Sequence, residues 1–144
     1  MHQCLAKPNY DDKVEQIVSW TKTSLSSLEA DDEAISNQIA CVSLLMGRTF
    51  QDEAESKNAL ELLKSIKRAE HRKLLVQRGE KPTEKYLDDL VLQEPEVQEN
   101  ITTYNEMMKR RVVLEGLYQA ITTSKRQFIE RNKERINHDI KTNV

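Results

Sequence analysis

Glycine, proline and aromatic residues are scarce in this chain: three Gly, three Pro and seven Phe, Trp or Tyr among 144 residues. With hydrophobic residues at 38% and charged residues at 32%, the composition is lean for a globular core and suits long helices that each present one apolar stripe. Cysteine is scarce too. Cys4 and Cys41 form no CxxC pair and no disulfide-like framework, and no N-terminal apolar run has signal-peptide length, so a reducing compartment is expected. No window approaches the roughly 18 uninterrupted apolar residues of a membrane span, so a soluble protein without a membrane partner is expected. The length fits one domain and falls short of two.

Catalytic signatures are missing as well. There is no GxxxxGK[ST], GxGxxG, HExxH or GxSxG. His2, His71 and His138 lie in three different segments, and the neighbouring Asp88 and Asp89 would point about 100° apart on a helix, so no metal-ligand set forms. Helices without a concave pocket offer nowhere to exclude water. The expectation is a protein that needs no cofactor and is not an enzyme.

What is present is helical periodicity. Asp11 and Asp12 can cap a first helix over 11–28, with Val14, Ile17, Val18, Leu25 and Leu28 near i, i+3, i+4 spacing. Asp31, Asp32 and Glu33 signal a second start, and no strong breaker follows until Gly79, so one long helix is expected over 31–79. At 1.5 Å per residue it would span roughly 65–70 Å, which points to a coiled-coil arm. Gly47 either marks a kink or close crossing, or is a tolerated glycine. Gly79 suits a C-cap, Pro82 a stop and Thr83 the cap of a tip helix over 83–92. Pro95 suits the first turn of a last helix over 95–137. On that helix Val97, Ile101, Tyr104, Met108 and Val112 form one stripe, whereas Leu114, Leu117, Tyr118, Ile121, Phe128 and Ile129 form another more than a right angle away. Two partners explain the change: the long helix for the first half, and the N-terminal helix or another subunit for the second. The expected fold is all-α, an elongated antiparallel helical hairpin or coiled coil with an N-terminal helix and a short tip helix, in a single helical domain. Such a chain buries little area per residue, which favours association.

Charge is unevenly placed. The whole chain carries −2, yet between Lys64 and Lys85 eight Lys and Arg face three Glu, a local balance of +5. Lys64, Lys67, Arg68 and Arg72 fall at i, i+3, i+4 and i+8, so they share a helix side, with His71 between them. An antiparallel hairpin is expected to bring Lys109, Arg110 and Arg111 toward Lys64 and Lys67. Phosphates suit such a surface, because Lys and Arg displace condensed counterions without reading bases. The alternative is a solvated face neutralised by Glu61, Glu70 and Glu106. The acidic runs Asp11 to Glu33 and Asp88 to Glu106 restrict any nucleic-acid site to a local one and are free to meet a basic protein. Lys125, Arg126, Arg131, Lys133 and Arg135 form a second basic set, suited to DNA or to an oligomer seam.

The order of these parts, a long helix ending in a basic run, an aromatic-bearing tip, the restart Leu92-Gln93-Glu94-Pro95-Glu96-Val97, and then Tyr104 through Leu117 to Arg126, Phe128 and Ile129, resembles the tailed-phage recombination mediators of the UvsY type. The similarity runs from about Ala59 to Arg135 and is one of arrangement. It implies a small all-helical protein, not an enzyme, working in the cytoplasm of an infected bacterial host. It implies rings of about six or seven subunits, binding to single-stranded DNA, and loading of a RecA-like recombinase onto DNA coated by a single-strand-binding protein. The family's DNA contacts carry over to Lys64, Lys67, Arg68, Arg72 and Lys73, and its assembly face to Leu117, Ile121, Phe128 and Ile129. The tip here is shorter than the family's, and few aromatics lie near the basic run. The reading from another class is a helical-hairpin adaptor or assembly protein that binds a protein partner and no DNA.

Overall fold

The computed structural model describes residues 10–25 and 31–142, and every regular element among them is helical. Helix α1 spans Tyr10–Trp20 and runs into a π-helical turn over Thr21–Leu25; α2 spans Asp32–Gln77, α3 Glu84–Gln93 and α4 Pro95–Thr142. None is long and apolar enough to cross a membrane. The fold is thus the all-α helical hairpin that the periodicity predicts. The chain forms two compact units, one from the residues up to Arg48 with Val112 onward, the other from Thr49 to Arg111.

Local chemistry sets the helix ends. Asp31 caps α2: its carboxylate accepts from the Ala34 amide at 2.7 Å, while its carbonyl accepts from Ile35 at 3.0 Å. Asp11 and Asp12, expected as caps, lie inside the first turn of α1, where they face the positive end of the helix dipole. Gly79 ends α2 with φ +79°. Its amide donates to the Val76 carbonyl and the Glu80 amide to that of Leu75, both at 3.0 Å, the paired bonds of a Schellman motif. The Thr83 hydroxyl accepts from the Tyr86 amide at 3.2 Å to start α3, and Pro95 opens α4 directly after Glu94.

In the first unit Ile17 of α1, Ile35, Cys41, Val42 and Leu45 of α2, and Leu114 and Ile121 of α4 form one buried cluster. Val14, Trp20, Leu117 and Phe128 pack against it. The second stripe of α4 therefore meets α1 and α2 of its own chain. Cys41 is disulfide-bonded, against the expectation of a chain without disulfides; Cys4 lies outside the described residues. In the second unit α2, α3 and α4 share a core of Leu60, Val91 and Val97, backed by Leu63, Ile101 and Tyr104. Leu87 of α3 is also fully buried.

Candidate functional site

The basic end of α2 lies in the second unit, and its environment follows from the amphipathic pattern of α3. Leu87 and Val91 bury the apolar side of that helix, which leaves Glu84 and Asp88, one turn apart, beside α2. Arg68 Nη2 donates to the Glu84 carbonyl at 3.2 Å and to the Asp88 carboxylate, and forms an ion pair with Glu84 Oε2 at 2.9 Å. Arg72 Nη2 donates to the other Glu84 oxygen at 2.6 Å. Two guanidinium groups therefore hold one acidic edge of the tip, in charge-assisted bonds.

The neighbouring positions are paired across to the start of α4. Lys67 Nζ lies 3.4 Å from Glu70 and 3.8 Å from Glu96, and these two carboxylates, Glu70 foremost, raise its pKa above the usual lysine value. His71 Nε2 and Glu94 Oε1 are 2.9 Å apart. Arg111 Nε donates to Glu53 Oε2 at 2.7 Å, a pair in which both side chains are largely shielded. Glu84, Asp88, Glu94, Glu96 and Glu53 are the partners that the charge pattern left out in naming Glu61, Glu70 and Glu106. The available signal was the i, i+4 spacing of Glu84 and Asp88 beside the apolar Leu87 and Val91.

These pairs also fix the register of the second unit. Glu53 stands opposite Arg111, Lys67 opposite Glu96 and His71 opposite Glu94. Lys109, Arg110 and Arg111 thus lie alongside the acidic turn of Asp52, Glu53 and Glu55, about ten residues and ~15 Å along the helix from Lys64. The expected merging of the two basic segments does not occur, because the tip helix and Pro95 set the register one to two turns per strand away from it. Arg110 rests against Met107 of its own helix.

Of the remaining cations, Lys64 lines an open hollow of about 420 Å³ with Glu61, Ser65, Arg68, Asp88, Val91 and Leu92, and makes no ion pair. Lys73 lies half a helix turn around α2 from Lys64, since nine residues at 100° bring it to the opposite side, and Lys109 is exposed; neither is ion-paired among the described residues. Beyond Lys73, the cations Arg78, Lys81 and Lys85 are all exposed and have no carboxylate partner among the described residues, and Tyr86 next to them is 48% exposed. No cluster of three or more metal-ligating side chains exists among the described residues.

Against protein-family models, curated proteins and solved structures, the chain matches nothing. The functional reading therefore stands on the residues themselves. Of the side chains expected to serve assembly, Ile121 is fully buried inside the first unit, Leu117 and Phe128 pack on the same core, and Ile129 remains 41% exposed. Lys125 donates to Ser36 at 3.3 Å, while Arg126, Arg131, Lys133 and Arg135 are exposed.

Proposed function

We propose that the protein is a single-stranded-DNA-binding recombination mediator, which helps a RecA-like recombinase to replace the single-strand-binding protein on DNA during phage recombination and repair in the host cytoplasm. The observation that carries this reading is the set of exposed cations at the tip, Arg78, Lys81 and Lys85, which have no carboxylate partner among the described residues and lie near the exposed ring of Tyr86. Such a set suits a phosphate backbone, with the tyrosine offering a stacking face to one base. The order of helical parts that resembles the UvsY-type mediators supports the same reading. The contact is thereby assigned to the end of α2 and the start of α3, ahead of Lys67, Arg68, Arg72 and Arg111, whose charges already face carboxylates. The exposed acids Asp89, Glu99 and Glu106 are the surface offered to the protein partners.

The test is fluorescence anisotropy with a labelled oligothymidine over a salt series. Binding is expected to weaken steeply with salt, and Lys81→Glu/Lys85→Glu is expected to lower affinity by roughly tenfold or more and reduce the salt slope by about two. Arg68→Ala/Arg72→Ala should leave the slope unchanged. Absence of binding at about 50 mM salt rejects the reading. The second reading, an adaptor that meets a protein partner without DNA, is favoured by the ion pairs at Lys67, Arg68, Arg72 and Arg111, and it predicts no salt-sensitive binding.

A further inference from the structure

Within the second unit, α2 carries two apolar faces. Leu60 and Leu63 turn toward α3 and α4, and Leu75 on the same side of the helix is buried as well. On the other side, Ala59, Leu62, Ile66 and Ala69 follow one another at spacings of three, four and three residues, and all are exposed, Leu62 by 63% and Ile66 by 47%. Glu55 precedes this row by four residues and Lys73 follows it by four. Alternating steps of three and four are the seam of a coiled coil, and no element of the described chain covers this one. Monomeric proteins seldom leave a contiguous row of this kind open to water.

The row is also self-complementary. Read from either end it runs charge, alanine, large aliphatic, large aliphatic, alanine, charge, and the terminal charges have opposite sign. An antiparallel second copy centred near Lys64 therefore sets Leu62 against the partner's Ile66, Ala59 against the partner's Ala69, and Glu55 against the partner's Lys73, with the same contacts repeated about the two-fold axis. A parallel copy would oppose Glu55 with glutamate and Lys73 with lysine. The small alanines let the two helix axes approach closely. Among the described residues Lys73 makes no ion pair, and Glu55 accepts one hydrogen bond, from Gln51 one turn earlier on its own helix, at 3.2 Å.

We propose that this face of α2 binds a second copy of the chain in an antiparallel, two-fold symmetric contact. It is separate from the assembly face read from α4 and does not depend on nucleic-acid binding. Sedimentation velocity of the full chain over a range of micromolar concentrations tests it. The wild type is expected to dimerise, Ile66→Lys to sediment with half the wild-type mass, and Glu55→Lys or Lys73→Glu alone to raise the dissociation constant by about tenfold, because like charges then meet at both ends. The combined Glu55→Lys/Lys73→Glu variant restores complementarity and should return to within about threefold of wild type. All these positions are exposed, and unchanged circular dichroism confirms that each variant folds. A wild type that stays monomeric throughout, an Ile66→Lys variant that keeps the wild-type mass, or a double variant no better than either single one overturns the proposal.

Discussion

The guanidinium of Arg68 on α2 donates to the carboxylate of Asp88 on α3, twenty residues further along the chain. The same guanidinium reaches Glu84, which also receives Arg72, so the tip helix is tied to α2 by charge on one edge and by Leu87 and Val91 on its apolar face. A run of cations that looks like a surface for an anion is here partly a fastening within the fold. Removing a member of it leaves the others without their partners.

Arg68→Ala is accordingly expected to lower stability by about 1–2 kcal/mol, more than an isolated surface pair, because one side chain serves two carboxylates. Urea denaturation measures it. In a double-mutant cycle Arg68→Ala and Glu84→Ala should show coupling of about 1 kcal/mol, and strict additivity would mean that the bridge contributes nothing.

Gly79→Ala is expected to cost about 1 kcal/mol, since an L side chain at φ +79° is strained and the Schellman bonds depend on that conformation. Gly79→Asn should cost less. Gly47 gives the opposite sign: a Cβ there meets nothing within 4 Å, and Gly47→Ala should stabilise by roughly 0.5–1 kcal/mol through helix propensity. Thermal melts of the three variants distinguish these outcomes.

In the first unit, Ile121→Ala is expected to cost about 2–5 kcal/mol because Ile121 is fully buried among residues of three helices, whereas Ile129→Ala should change stability by under about 0.5 kcal/mol. Equal effects in chemical denaturation would mean that the two faces of α4 are not distinguished in solution.

Caps and breaks were legible in the sequence because they are written within a few residues: Asp31 and Ala34, Thr83 and Tyr86, Gly79 followed by Pro82. The helical class was legible for the same reason, since periodicity is local. The register was not. Whether Lys109 faces Lys64 or Glu55 depends on how many residues the tip occupies and on how α3 lies against α2, and these follow from the burial of Leu87 and Val91 together. The partners of Arg68 and Arg72 were hidden by the same step, because helical spacing tells which cations share a side and not which acids stand across from them. The second stripe of α4 was visible, but a stripe does not name its occupant, and the occupant proved to be α1 and α2.

Lys67 supplies a pH dependence. Its pKa is raised by Glu70 and Glu96, so the folded chain holds the proton more tightly than the unfolded one. The stabilisation is fully present below the unfolded lysine value of about 10.4 and is lost as pH rises through the higher folded value. The difference in urea midpoint between wild type and Lys67→Gln should therefore be present at about pH 8 and shrink at about pH 11. A difference that holds constant across that window would place the contribution of Lys67 in packing of its aliphatic stem.

Trp20, the only tryptophan of the chain, packs against the core shared by α1, α2 and α4 in the first unit, while the second unit holds Tyr86 and Tyr104 and no tryptophan. The molecule thus carries its own optical label on one unit alone. Indole emission follows the loosening of that core, and far-ultraviolet ellipticity follows the helices of both, so a single titration read at two wavelengths measures how far the unfolding of one unit is tied to that of the other.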